Sequence, residues 1–167
     1  MTDATLTPSR LWKAMSPEQR RRAASCLWRE AEATADQTQA ALLVAKQMKF
    51  RPKTVMGLDD DRKARYLAGT LEVPDELAAR ILVVYHLAEQ RPMMGAFLDA
   101  LGIAHENGLI QEEEVKPAAE KIAPAAARIA EQYPAEDVNI YLNTLLCQDP
   151  ATWGALKDVL QTQGASG

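Results

Sequence analysis

This 167-residue sequence is poor in aromatic residues and in β-branched runs, which build β-sheets, and it lacks the long apolar runs that span membranes. Aromatic side chains make up only 5%, and β-branched runs are nearly absent outside residues 81–84, which disfavours a β-rich fold. No apolar run approaches the roughly 18 residues that span a bilayer, so we expect no membrane partner. The first residues also lack the basic-then-apolar layout of a secretory signal. We therefore predict a cytoplasmic protein.

Residues that usually carry chemistry are also scarce. The two cysteines, Cys26 and Cys147, lie far apart within helical apolar patterns, which predicts buried thiols in a reducing compartment rather than a disulfide or a metal site. There is no HExxH motif, paired Cys/His spacing, glycine-rich phosphate loop or nucleophile elbow. The sequence thus predicts no catalytic residue, no metal ligand and no cofactor, and it favours a non-enzymatic protein.

The abundant feature is apolar residues at helical spacing, rich in alanine and leucine. Ser16-Pro17-Glu18-Gln19 is a helix start signal, and Gly102 is a stop signal. We predict an all-α fold, a single compact domain of about eight to ten packed helices over residues 8–163. Residues 1–7 are expected to be a disordered N-terminus and residues 164–167 a loose tail.

The most apolar stretch, residues 73–110, predicts a central helix pair at roughly 74–90 and 92–101. In the first of these helices Val83 and Leu87 intrude on the side opposite the apolar face, so we expect it to be covered from several directions. Further along the chain, Pro124 falls within a helical pattern and is expected to kink or split that helix.

The net charge of −4 is unevenly distributed. Up to Tyr66 there are 13 Lys and Arg against 8 Asp and Glu, and the remainder has 6 against 15. Such asymmetry indicates either a basic face for a polyanion or two halves that attract each other.

The segment from Val44 to Leu58 resembles a helix-turn-helix in spacing, with apolar Met48 before the turn and Val55 after it. In that family the second helix enters the major groove of DNA. The resemblance implies that Arg51, Lys53 and Thr54 contact nucleic acid. Two departures are Lys49, where the turn usually has glycine, and the acidic run Asp59-Asp60-Asp61 just beyond the second helix. The alternative is a helical corner with solvated basic residues.

Arg80 and His86 have a spacing similar to that of the helical HEPN ribonucleases, in which the pair acts at a dimer interface. The resemblance implies a nuclease only if a second subunit brings the two side chains together, because they lie about 120° apart around one helix. The alternative is a structural arginine with a histidine at the rim of the core.

His105 follows the second helix of the central pair. With His86, Asp99 and Glu106 it could contribute to a metal or acid–base site, and together with Arg80 and His86 it could line a cleft. A histidine near a helix C-terminus is equally explained as a cap.

These observations favour a non-catalytic helical protein-interaction or adaptor module with an unknown protein partner. The alternative function is that of a nucleic-acid-binding protein that uses the helix-turn-helix-like segment at residues 44–58. A third possible function is that of a HEPN-like ribonuclease. No resemblance covers the whole chain.

Overall fold

Ten α-helices and one short β-hairpin account for the regular structure of residues 6–111 and 115–165, which are the residues that this structure, a computed structural model, describes. The helices are α1 (Pro8–Ala14), α2 (Pro17–Arg29), α3 (Thr34–Met48), α4 (Pro52–Met56), α5 (Asp60–Ala68), α6 (Asp75–Glu89), α7 (Arg91–Leu101), α8 (Ala119–Gln132), α9 (Ala135–Gln148) and α10 (Leu156–Ala165). The hairpin consists of β1 (His105–Glu106) and β2 (Leu109–Ile110). Most of the described residues are helical, which confirms the predicted all-α class. Over the described ranges, no helix combines the length and apolarity needed to cross a bilayer.

The helices group into two compact units. The N-terminal unit comprises residues 7–88, and the C-terminal unit comprises residues 89–167 together with 1–6. Most of α6 belongs to the N-terminal unit and α7 to the C-terminal unit, so each unit contains one helix of the predicted pair. By sequence the N-terminal unit has 14 Lys and Arg against 10 Asp and Glu, a net charge of +4, whereas the C-terminal unit has 5 against 13, a net charge of −8.

Small side chains bring α2 and α5 together in the N-terminal unit. α2 starts as predicted, because the Ser16 hydroxyl accepts a hydrogen bond from the Gln19 backbone N–H (3.2 Å) and Pro17 follows at the first helical position. The buried faces of the two helices consist mainly of alanine and leucine: Ala23, Ala24 and Leu27 on α2, and Ala64, Leu67 and Ala68 on α5. Alanine-lined faces let the helix backbones approach closely, which buries both leucines fully.

A buried arginine joins this helix pair to α1. Arg20 is 8% exposed, and its Nε donates to the carbonyl of Ala68 (2.9 Å) at the end of α5. Its Nη1 donates to the carbonyls of Lys13 (3.3 Å) and Met15 at the end of α1. Since the last carbonyls of a helix carry its partial negative charge, one guanidinium satisfies two helix ends. Burial lowers the pKa of Arg20, because desolvation disfavours the charged form.

α6 is buried along most of its length, as its apolar periodicity predicts. Its buried residues are Leu77, Ala78, Ile81, Leu82, Val84, Tyr85 and His86. Val83 and Leu87 are half-buried, which agrees with the expectation that this helix is covered on more than one side. In its first turn the Asp75 carboxylate accepts a hydrogen bond from the backbone N–H of Ser9 (3.0 Å), so the acid also holds the start of α1.

Aromatic rings mark the core of the C-terminal unit. Phe97 of α7 meets Tyr141 of α9 edge-on, with ring centroids 5.6 Å apart, and lies 5.8 Å from the ring of Trp153. α8 packs against α7 and is a single helix that contains Pro124. The expected split therefore does not occur. Pro124 is exposed, so water can satisfy the Glu120 carbonyl that the proline leaves without an amide partner.

The hairpin packs tightly on α7 through glycine at two positions. Asn107 (φ 51°) and Gly108 (φ 88°) form the turn, and both take the left-handed conformation of a two-residue hairpin. A Cβ on Gly108 would lie 3.0 Å from the Met94 Cβ, and a Cβ on Gly95 would lie 3.2 Å from the His105 ring. The strands themselves were not expected, because each has only two residues.

Both predicted termini lie partly outside the described residues. Of the expected disordered segment 1–7, residues 1–5 are not described, and Thr7 caps α1 by accepting a hydrogen bond from the Arg10 N–H (3.2 Å). Of the expected tail 164–167, Gly164 and Ala165 complete α10, and residues 166–167 lie outside the described range.

Candidate functional site

The turn between α3 and α4 is built on a left-handed lysine. α3 ends at Met48, and Lys49 follows with φ 58°, the conformation that usually favours glycine. The Phe50 N–H then reaches back to the Ala45 carbonyl (2.9 Å), which completes the helix end. α4 begins at Pro52, and its Val55 is fully buried, so α4 is anchored to the rest of the N-terminal unit. We call residues 42–56 the α3–α4 corner.

Apolar side chains are exposed at this corner. The described residues include six exposed large hydrophobic side chains, of which four belong to the corner: Leu42 (51% exposed), Met48 (38%), Phe50 (36%) and Met56 (45%). The remaining two, Leu71 and Leu109, lie outside the corner. Single exposed apolar residues are ordinary, but three of these four, Met48, Phe50 and Met56, lie within nine residues around the turn, a concentration that is typical of an interaction surface. Leu42 precedes Met48 by six residues and so lies about 120° away around α3.

The same corner carries positive charge without internal compensation. Lys46, Lys49, Arg51 and Lys53 are all exposed, and over the described residues none of the four forms an ion pair or a side-chain hydrogen bond. The sequence has no Asp or Glu between Asp36 and Asp59. The corner is therefore both apolar and basic.

α5 adds an aromatic ring beside the corner. Phe50 meets Tyr66 edge-on, with centroids 5.8 Å apart, and the guanidinium carbon of Arg65 lies 5.9 Å from the centroid of the Tyr66 ring. These contacts hold the Phe50 ring in place while 36% of the residue stays exposed. A preordered aromatic side chain loses little conformational entropy when a partner covers it.

The three residues implied by the helix-turn-helix resemblance all lie on this surface. Arg51, Lys53 and Thr54 are exposed at the start of α4. However, α4 has only five residues, about 7.5 Å of helix, which is short for a helix that must read bases in the major groove. The residues named by the resemblance therefore lie on an exposed basic surface. However, α4 is shorter than the second helix of a helix-turn-helix.

The three aspartates that follow α4 already have hydrogen-bond or ion-pair partners within the N-terminal unit. Asp59 caps α5 by accepting from the Arg62 N–H (2.8 Å), and Asp60 lies 3.5 Å from Lys63. Asp61 pairs with Arg21 (2.5 Å), and the hydrogen bond from that guanidinium is the main cause of the lowered pKa of Asp61. These partners reduce the repulsion that the three aspartates would exert on an anionic ligand.

Arg80 and His86 are held in different environments. Arg80 Nε pairs with the Asp36 carboxylate of α3 (3.0 Å), and its side chain is 45% exposed. His86 is only 3% exposed, and its Nδ1 is 2.7 Å from the Leu82 carbonyl. Because that carbonyl only accepts hydrogen bonds, Nδ1 carries the proton. The structure therefore does not bring the pair together within one chain, and His86 fits the structural role.

His105, in the C-terminal unit, is fixed by two hydrogen bonds. Its Nε2 lies 2.7 Å from an Asp99 carboxylate oxygen, and its Nδ1 is 3.0 Å from the Gly108 backbone nitrogen. The Gly108 N–H can only donate, so Nδ1 is the acceptor and Nε2–H donates to Asp99. Since both ring nitrogens are engaged, this imidazole serves to hold the hairpin on α7 and is not positioned as a general base.

A cleft of about 250 Å³ lies beside this pair, between α7 and α8. It is lined by Ala96, Asp99, Ala100, Arg128, Ile129 and Gln132. None of these side chains is a nucleophile of the Ser, Cys or Lys type. Across the described ranges, no three His, Cys, Asp or Glu side chains cluster closely enough to hold a metal ion.

The exposed apolar side chains of the corner are the functional feature that sequence reasoning missed. Met48 follows the buried Val44 by four residues and so lies on the same side of α3, yet it is 38% exposed because α3 ends there and the chain turns away. The signal available in the sequence was the alternation of apolar and basic residues from Lys46 to Met56, without any acidic residue.

No known protein-family model, curated protein or solved structure matches this chain.

Proposed function

We propose that this protein is a non-catalytic protein-interaction module that binds its partner through the α3–α4 corner. The single observation that carries the proposal is the concentration of exposed apolar side chains there, above all Met48, Phe50 and Met56. Met and aromatic residues are enriched in protein interfaces, where they are covered by the partner. The buried Val55 and the Phe50–Tyr66 contact support the proposal, because they keep this surface in one conformation before binding.

A point mutation with a matched control tests the proposal. The wild-type protein and the Phe50→Ser variant would each be immobilised and incubated with nuclease-treated lysate of the source organism. The proteins that each retains would be quantified by mass spectrometry. Leu71→Ser is the control, because Leu71 is similarly exposed at 38% but lies outside the corner. We expect at least one protein to be retained by wild type and by Leu71→Ser but lost with Phe50→Ser.

Binding of that protein would then be measured with purified components by calorimetry. Truncating an aromatic anchor typically costs about 2 kcal/mol of binding free energy, so Phe50→Ser should weaken affinity by about 30-fold. If no retained protein distinguishes Phe50→Ser from the control, or if the purified pair binds equally well with either variant, the proposal is wrong.

Nucleic-acid binding is the second candidate, and the four uncompensated cations of the corner favour it. We rank it lower because three of the four exposed apolar side chains, Leu42, Met48 and Met56, are aliphatic and do not stack on bases as aromatic rings do. Fluorescence anisotropy with random duplex DNA at two salt concentrations separates the candidates. We expect negligible binding at about 0.15 M salt. Sub-micromolar, salt-sensitive binding that Arg51→Ala weakens would replace the protein-interaction proposal.

We also propose a cytoplasmic location. Its support is the sequence position of the two cysteines, Cys26 and Cys147, which lie far apart within helical apolar patterns, as expected of thiols in a reducing compartment. Labelling both thiols in rapidly lysed cells, without prior reduction, tests this location.

A further inference from the structure

We infer that the partner segment that docks on the α3–α4 corner is an acidic peptide with apolar anchor residues. This inference rests on the proposed function and names the chemistry of its partner. It follows from two properties of the corner that the same occupant has to satisfy. One is its positive charge, which has no partner among the described residues, and the other is its exposed apolar side chains.

The charge of the corner has no counterpart nearby in the chain. From residue 37 to residue 58 the sequence contains four cations and no acidic residue. In contrast, the acids that follow are already engaged, Asp59 as a helix cap and Asp61 with Arg21. A neutral apolar occupant would partly desolvate lysine and arginine side chains without giving them a partner, which is unfavourable. Carboxylates on the occupant remove this penalty.

The apolar side chains are interleaved with the cations. Met48 and Phe50 flank Lys49, and Met56 follows Lys53 by three residues. A purely anionic ligand would pair with the cations but leave these apolar side chains exposed to water, and the burial of apolar surface would not contribute to its affinity. A segment with both Asp or Glu and Leu, Ile, Phe or Trp satisfies both kinds of group.

The dimensions of the corner fit a short segment. Met48 and Phe50 lie at the turn that ends α3, and α4 adds about 7.5 Å of helix beyond them. An amphipathic helix of about ten residues, roughly 15 Å long, is about twice the length of α4 and would place its anchors on one face.

Selection from an unbiased library tests the inference. A random twelve-residue peptide library displayed on phage would be selected against the full-length protein, with Phe50→Ser protein used to remove clones that bind elsewhere. We expect the enriched peptides to carry a net negative charge and at least two large apolar residues. One enriched peptide would be synthesised with a fluorescent label, and its affinity would be measured by anisotropy.

Charge variants then test the electrostatic part. Lys49→Gln combined with Arg51→Gln should weaken peptide binding by about tenfold, and the difference should shrink at high salt, because exposed ion pairs are modest and screened. Arg10→Gln is the matched control, since Arg10 is exposed in the same unit but outside the corner, and it should leave affinity unchanged.

The other outcomes are distinguishable. Phe50-dependent peptides that lack acidic residues, or that bind equally well to the double charge variant, would overturn the acidic partner and leave the proposed function standing. Failure to enrich any Phe50-dependent peptide would overturn the acidic peptide, whereas the proposed function would stand or fall with the comparison of Phe50→Ser and Leu71→Ser in lysate. A wild-type dimer in light scattering that Phe50→Ser dissociates would make a second copy of this chain the occupant. Binding to vesicles of anionic phospholipid without binding to any peptide would assign the corner to a lipid surface instead.

Discussion

Replacement of Arg20 by methionine tests the buried guanidinium that joins α1, α2 and α5. Methionine keeps an apolar stem of similar length but removes every donor, so the carbonyls of Ala68, Lys13 and Met15 lose their partner. Helix ends that are buried without partners are unfavourable. The change therefore isolates the contribution of the hydrogen bonds from that of simple side-chain packing.

The expected magnitude follows from the quality of these bonds. A hydrogen bond from a charged group contributes about 1.5–3 kcal/mol. Two of the three bonds, to Ala68 and Met15, are buried, while the one to Lys13 is longer at 3.3 Å and partly buried. The two buried bonds together account for about 3–6 kcal/mol. The better burial of the methionine side chain offsets about 1–2 kcal/mol of this loss. We expect a net loss of about 3 kcal/mol.

Urea denaturation followed by circular dichroism measures this loss. Arg21→Met is the matched control, because Arg21 is the next residue and its ion pair with Asp61 is exposed. The Arg21 side chain is 52% exposed and the Asp61 side chain 66%. Exposed pairs contribute at most about 1 kcal/mol, so the control should unfold near wild type. Arg20→Lys, which retains the charge but cannot reach all three carbonyls, should lie between the two. Equal, small losses for Arg20→Met and Arg21→Met would refute the reasoning.

Other changes test single positions. Lys49→Gly should raise the free energy of unfolding by about 1 kcal/mol, because glycine adopts φ 58° without steric penalty; an unchanged or lower value in urea denaturation would contradict this. Gly108→Ala should lower it by more than about 1 kcal/mol, since φ is +88° and the new Cβ would lie 3.0 Å from another Cβ; a neutral result would mean that the hairpin shifts freely. Leu82→Ala should cost about 2–4 kcal/mol through the cavity it leaves in buried α6, and near-zero cost would show that this helix is not core. Thr152→Val should raise the pKa of Asp149 towards 3.8, because the hydrogen bond from the Thr152 hydroxyl is the main cause of the lowered pKa. A carboxylate whose pKa is lowered by folding stabilises the fold above its unfolded pKa. That stability is lost as pH falls through the folded pKa. The variant should therefore lose less stability than wild type below about pH 4, and NMR titration showing an unmoved Asp149 would count against the assignment.

Features with local causes were predictable from the sequence. The Ser16 cap, the left-handed Gly102 at the end of α7 and the Asn107-Gly108 turn all depend on residues within a few positions of one another. The buried face of α6 was predictable for the same reason, because apolar periodicity is a property of one segment.

Features that depend on distant partners were not. Arg20 reads as a solvated cation near a helix start, and its burial depends on Ala68, 48 residues away. Arg80 satisfied a permissive spacing, but its partner is Asp36 on another helix, 44 residues away. No pattern within a single segment contains this information.

The corner was predicted in position but not in character. Its basic residues were visible in the sequence, whereas the exposure of Met48 was not, because helical periodicity assumes that the helix and its neighbours continue. α3 ends at Met48, and the helical periodicity of α3 does not show in which direction the chain continues after it.

The left-handed Lys49 has a consequence for any attempt to stabilise this protein. A screen that selects only for heat resistance should find glycine at position 49, since the backbone there suits glycine better than any residue with a side chain. That variant would lose one of the four cations of the corner. On the proposed function, stability and binding therefore respond in opposite directions at this one position.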